Sequence, residues 1–175
     1  MNDRLMSTPI GQQMQSGRWY QTSAKPLRQA RQAVKALCYA ISTQPDEQQR
    51  KQLIHQLLPH ICSVELGTGF YCDYGCNIYA GHHLAVGDNV VMLDAASITL
   101  GNNVSIGEGT VIATVSHHHN AQQRSAGWQQ ATPVVIGHNV RLGAQVTVLP
   151  GAVLADNSVV PDYQLVPCIS ASHSS

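Results

Sequence analysis

From Leu100 onward the aliphatic residues of this chain recur every six positions. Leu100, Ile106 and Ile112 are followed, after a break, by Ile136, Leu142, Val148, Leu154, Val160 and Val166. A helix repeats at about 3.6 and an exposed strand at 2, so a period of six fits neither. It fits a coil of short flat strands with a corner after each, the aliphatic pointing inward. The following residue is usually small or turn-prone (Gly101, Gly107, Ala113, Gly137, Gly143, Ala155, Pro161, Pro167). Such residues suit a tight corner that tolerates only a small side chain or a positive φ. Small or β-branched residues recur four places after the aliphatic, at Val104, Thr110, Ser116, Val140, Val146, Ala152 and Ser158. Three hexapeptides close one triangular turn, and stacked turns form parallel ladders about 4.8 Å apart. The expected fold is an all-β core, a parallel β-helix of hexapeptide repeats.

Upstream the grid loosens. Val86 and Met92 keep the period, then a two-residue slip near Asp94 precedes Leu100. Residues 62–170 are read as the β-helix. Its one break is a polar segment, 118–133, expected to be a loop extruded from a corner and carrying Trp128; loops of this length in a compact domain are usually functional. Residues 1–61 read as a helical cap with two short α-helices. In the first, Leu27, Ala30, Val34, Leu37, Cys38 and Ile41 share a face, and Pro26 suits the first turn. In the second, Leu53, Ile54, Leu57 and Leu58 form the stripe, with Thr43 as its expected cap. A cap over the open end shields a parallel edge that would otherwise aggregate. Residues 171–175 are expected to be a disordered tail.

Lys and Arg total 10 and Asp and Glu total 10, so the formal net charge is zero. That balance offers no electrostatic footprint for nucleic acid or an anionic membrane. Five cysteines without a CxxC pair point to free thiols in a reducing compartment. The N-terminus has no apolar h-region and no run approaches a membrane span, which places the chain in the cytoplasm.

The segments SGRWY, YCDYGCNIYAG, VVMLDAASITLGNNVSIGEGTVI, TVSH followed by RSAG, and TPVVIGHNVRLGAQVTVLPGAVLADNSVV occur in this order. Together they resemble the maltose and galactoside O-acetyltransferases, over about residues 16–161. The resemblance implies a left-handed prism, a homotrimer, and acetyl-CoA as co-substrate in the groove between neighbouring prisms. It implies transfer to a sugar-like hydroxyl and no metal. On it, His117 matches the catalytic histidine, a base near neutral pH that takes the hydroxyl proton. Asp73 and Asp94 match acceptor-binding positions, Asp94 alternatively orienting His117 or bonding structurally. An ungapped match puts the family's active-site Asn at Gly87; Asn89, two residues on, would share a strand face with 87 and takes the acceptor-binding role. Arg141, Ala144 and Asp162 fall on the cofactor's path.

The chain departs from the family at its C-terminal end, where a further coil and basic tail are expected; no Lys or Arg follows Arg141. CoA phosphates favour cationic partners, here Arg141 and the N-terminal Arg18, Lys25, Arg28, Arg31 and Lys35. Two alternatives stand beside the acetyltransferase. One is a catalytically impaired relative serving as a binding or scaffold trimer. The other is a γ-carbonic-anhydrase-like metal enzyme with His82, His83, His117 and His119 as ligands of a zinc-like ion.

Overall fold

The computed structural model describes residues 3–168. The end of the prism at 170 and the tail at 171–175 lie outside the described residues.

The chain opens with α1 (Asp3–Met6), α2 (Pro9–Gln15), β1 (Tyr20–Gln21), α3 (Lys25–Thr43) and α4 (Glu47–Leu57). The cap thus holds four helices where the sequence suggested two short ones, and α3 alone runs 19 residues. Leu27, Val34, Cys38 and Ile41 bury the face that the periodicity marks, and Pro26 sits in the first turn. Asp46 caps α4, its carboxylate accepting the Gln49 N–H at 2.7 Å. Thr43 ends α3 instead, its hydroxyl donating back to the Tyr39 carbonyl at 3.0 Å.

Five triangular coils follow. They are β2 (His60–Ile61), β3 (Val64–Leu66) and β4 (Tyr71–Cys72); β5 (Ile78–Ala80), β6 (Leu84–Val86) and β7 (Val91–Leu93); and β8 (Ile98–Leu100), β9 (Ser105–Ile106) and β10 (Val111–Ala113). An extruded segment then supplies β11 (Val115–His117), α5 (Ala121–Ser125) and β12 (Trp128–Ala131). The prism resumes with β13 (Val134–Ile136), β14 (Arg141–Leu142) and β15 (Thr147–Val148), and ends with β16 (Val153–Leu154), β17 (Val159–Val160) and β18 (Leu165–Val166).

Strands stack into three parallel five-stranded sheets. The first is β2-β5-β8-β13-β16, the second β3-β6-β9-β14-β17 and the third β4-β7-β10-β15-β18. Grid residues pair coil to coil: Val86 with Ile106, Ile106 with Leu142, Ile112 with Val148, and Ile136 with Leu154. Leu100, Ile106, Ile112, Ile136, Leu142 and Val148 are buried in one cluster, with Leu154, Val160 and Val166 half-buried at its far end. Each buried aliphatic of this size contributes roughly 1.5–3 kcal/mol. Ile41, Ile54, Leu57 and Leu58 of the cap join the same cluster. Arg50 ties the cap to the first coil, donating to the Leu66 carbonyl at 2.6 Å and the Gly67 carbonyl at 3.2 Å.

All insertions fall on one corner, the turn from the third sheet back to the first. There the steps from Cys72 to Ala80 and from Met92 to Leu100 are eight residues rather than six, and the step from Ile112 to Ile136 holds the extruded segment. That segment is an ordered antiparallel sheet, β1-β12-β11, rather than a loop. The prism is left at Val115, three residues before the expected break, and is entered at His60 rather than 62. Ser116, read as a grid position, therefore belongs to β11. A second core fills this corner: Met14, Tyr20, Leu27, Tyr74, Cys76, Ala95, Ala96 and Ala131. All five cysteines are free thiols. Among the described residues, no helix is long and apolar enough to cross a membrane.

Candidate active site

The corner with the insertions collects most of the chemistry. Its floor is Asp94, fully buried. One carboxylate oxygen accepts the N–H groups of Asp73 at 3.0 Å and Tyr74 at 2.8 Å; the other accepts that of Asn77 at 3.3 Å. Asn77 returns its amide to the Asp94 carbonyl at 2.7 Å. The extra residues of one coil are thus held by the acid of the next. Both Asp94 oxygens are engaged with backbone, so in this structure the side chain holds the corner. Burial pushes its carboxyl up to about 7, against the pull of the backbone N–H groups.

This carboxyl carries a pH consequence. Its folded-state pKa lies above the ordinary Asp value of about 3.9, so folding favours the protonated form. Its stabilising contribution is complete below about pH 4 and is lost as pH rises through about 7. Relative to an Asp94→Asn variant, which cannot ionise, the wild type should lose stability between about pH 5 and about pH 8. Urea unfolding midpoints of the two proteins across that range check it, and a constant difference would refute it.

Above this floor lies Asp73, half-buried, with the Tyr71 hydroxyl donating to it at 3.4 Å. Burial raises the Asp73 carboxyl while the Arg31 guanidinium lowers it; Tyr71 is pushed up to about 12 by burial and by Asp73. Arg31 reaches in from α3, donating to the Tyr74 hydroxyl at 2.7 Å and the Thr22 carbonyl at 2.7 Å. Tyr20 is buried beside them, and burial followed by Tyr74 and Asp73 holds its phenol protonated.

His117 ends β11, exposed, its backbone paired with Gln129 of β12. The antiparallel sheet therefore fixes its direction, where the grid suggested the prism would. His118 points to the other face, its ring 4.5 Å from Trp19, and its Nδ1 accepts the Asn120 N–H at 3.0 Å. Arg124 braces the turn by donating to the carbonyls of His118 and His119.

Of the remaining expected site residues, Asn89, Ala144 and Asp162 sit on the corner from the second sheet to the third. Asn89 is not on a strand; it occupies the turn with φ 56°, so strand alternation does not relate it to residue 87. It is stacked between Gly69 and Gly109, both also at positive φ. At Gly87 a Cβ would lie 2.7 Å from the Glu108 nitrogen, so no Asn side chain fits there. Ala144 and Asp162 share this corner and bond to each other, the Ala144 N–H donating to the Asp162 carboxylate at 2.9 Å. Arg141 is exposed on the outer face of β14. The structure thus splits the expected set: His117, Asp73 and Asp94 on one corner, Asn89, Ala144 and Asp162 on another. Sheet three spans the gap, six residues of about 3.3 Å, or roughly 20 Å at most.

The histidines of the metal alternative are divided likewise. His82 and His83 turn the corner between the first two sheets, and His117 and His119 lie at the extruded sheet. Among the described residues no group of three or more His, Cys, Asp or Glu side chains converges.

The stacked prism, the helical cap and the extruded sheet define a hexapeptide-repeat acyltransferase-type protein, and likeness to known proteins narrows that class. Residues 13–61 match the maltose acetyltransferase hexapeptide capping motif. A hexapeptide-repeat acetyltransferase of Vibrio cholerae, solved with acetyl coenzyme A, is 30% identical with a TM-score of 0.79, covering 92% of this chain and 91% of its own. A maltose O-acetyltransferase of Clostridium difficile superposes with a TM-score of 0.87 at 27% identity, over 93% and 88% of the two chains. The galactoside O-acetyltransferase of Escherichia coli is 27% identical over 89% of this chain and 78% of its own. The chain belongs to the maltose and galactoside O-acetyltransferase family, and its β-helix is left-handed like theirs. Against three further curated relatives of 37–42% identity, the chain spans 51–59% of the relative's length.

Proposed function

We propose that the protein is an acetyl-CoA-dependent O-acetyltransferase acting on a hydroxyl of a sugar or similar small acceptor. The observation that carries the reading is His117, exposed on an ordered sheet beside the Asp73 corner, in a fold whose relatives include a maltose, a galactoside and an acetyl-CoA-bound acetyltransferase. The neutral imidazole removes the acceptor's hydroxyl proton. The oxygen attacks the thioester carbonyl carbon, the carbon–sulfur bond breaks, and the imidazolium returns its proton to the departing CoA sulfur. The acetyl group passes directly, with no bond to the enzyme. Asp73, poised beside Tyr71, is suited to accept a second acceptor hydroxyl. Arg141 offers a cation to the CoA phosphates, with Ala144 and Asp162 lining the path. A thiol-release assay with acetyl-CoA over a panel of sugars tests the activity.

The division of residues between two corners argues for assembly. Within one chain the base lies at one edge of sheet three, and Asn89, Ala144 and Asp162 at the other. A neighbouring copy that brings its own turn corner against the first chain's extruded sheet completes the site, and closed three-fold symmetry does this for every copy. Light scattering should give a mass near three times 18.9 kDa; a monomer at micromolar concentration would leave the site incomplete and refute the assembly.

A further inference from the structure

The extruded sheet places three side chains in one row. Tyr20 of β1 and His117 of β11 pair from opposite sides with the same residue, Gln129 of β12. Directly opposed residues of an antiparallel sheet present their side chains on the same face. Two contacts on the other face agree with this. The ring of His118, next after His117, lies 4.5 Å from that of Trp19, next before Tyr20, and is tilted against it by 50°. Gln130, next after Gln129, donates to the Gly17 carbonyl at 2.8 Å. In the row itself the Tyr20 hydroxyl donates to Gln129 Oε1 at 3.2 Å. Burial keeps that phenol protonated, so it acts as a fixed donor and holds the amide with its oxygen inward.

We propose that Gln129 is the positioning residue for His117: its amide oxygen, anchored by the Tyr20 hydroxyl, accepts the His117 Nδ1–H and leaves Nε2 with its lone pair toward the acceptor. This rests on the reading of His117 as the base. A carbonyl oxygen has two lone pairs, enough for both donors. The hydrogen bond at one ring nitrogen decides which of the two is the base. The amide is uncharged, so it orients the ring without the electrostatic pull that a carboxylate would add. The titratable and charged groups around the row are His118 and His119 after His117, Arg124 on α5, Tyr20 on β1, and Asp73 with Arg31 behind Tyr20.

The test is a ring-proton NMR titration of His117 in the full-length protein, assigned by loss of the signal in His117→Asn. In Gln129→Glu a carboxylate takes the amide's place, and the His117 midpoint should move up by about half a unit or more relative to wild type. Gln130→Glu puts the same charge on the opposite face and should leave that midpoint unmoved. Equal midpoints in wild type and Gln129→Glu would overturn the proposal, as would equal shifts in the two variants. Steady-state kinetics adds a second reading. Gln129→Met should lower kcat by about tenfold or more at unchanged KM for acetyl-CoA, and Gln129→Glu should recover most of the loss. Unchanged kcat in Gln129→Met would also overturn it. The titration needs no turnover, so a wild type without acetyl transfer refutes the enzymatic reading while the row is still judged by its midpoints.

Discussion

Replacing His117 with alanine is expected to lower turnover by roughly 10²–10⁴-fold, the usual worth of a positioned general base. The same change at His118 or His119 should cost much less. The asymmetry follows from the sheet. His117 sits on the face shared with Tyr20 and Gln129, whereas the His118 ring is turned to the other face and tilted against Trp19. His119 lies beyond the strand, in the turn braced by Arg124. The exposed imidazole buries no core, so the variant should keep its fold and mass. It takes a proton rather than holding CoA, so acetyl-CoA affinity should persist. Turnover, acetyl-CoA binding and mass for the three alanine variants decide the point. Retention of most activity by His117→Ala would eliminate it as the base.

The prism was legible because its signal is long and self-reinforcing. Nine aliphatics on a six-residue grid, from Leu100 to Val166, point to one packed interior, and Ile106, Leu142 and Val160 do stack as the period requires. The amphipathic face of α3 was legible for the same reason. Short pairings were not. β1 is two residues long, and nothing in Trp19-Tyr20-Gln21 announces that it pairs with β12 more than a hundred residues away. The extruded segment therefore reads in the sequence as a polar loop, and only the folded pairing makes Gln129 and Tyr20 neighbours of His117. Trp128 and Ala131 are three residues apart and fall on opposite faces of the strand, so the segment carries no period-2 alternation to separate strand from loop. The Asp94 slip was visible as a break in spacing, but its cause was not. Three backbone donors converging on one carboxylate arise only when coils stack. Asn89 shows the converse: strand alternation does not hold for a residue at φ 56° that turns a corner.

The second large effect should come from a glycine with no side chain to lose. A Cβ at Gly107 would lie 2.5 Å from the Gly143 carbonyl oxygen and 2.6 Å from the Ala144 nitrogen, both backbone of the next coil. Neither can swing aside as a flexible side chain would. Gly107→Ala must wedge the third coil from the fourth, along a seam held by Gly107 N–H to the Leu142 carbonyl at 2.9 Å and the Thr110 hydroxyl to the Gly143 carbonyl at 2.9 Å. Overpacking of a rigid interior costs about 1–3 kcal/mol and occasionally more; here the wedge also strains ladder hydrogen bonds, so a loss of about 3 kcal/mol or more is expected. Gly109, two residues on, should behave in the opposite way. Its φ is +67°, but its nearest neighbour outside the turn is the flexible Gln145 side chain at 3.2 Å. Asn89, Asn103, Asn139 and Asn157 already occupy corners at φ 56–64°, and Asn tolerates that region better than most residues. Gly109→Asn should therefore cost under about 1 kcal/mol. Urea unfolding of the two variants compares them directly. Equal losses would mean that the corner glycines serve backbone conformation alone. A loss confined to Gly107→Ala would show that the corner-first glycines are set by the closeness of the coils.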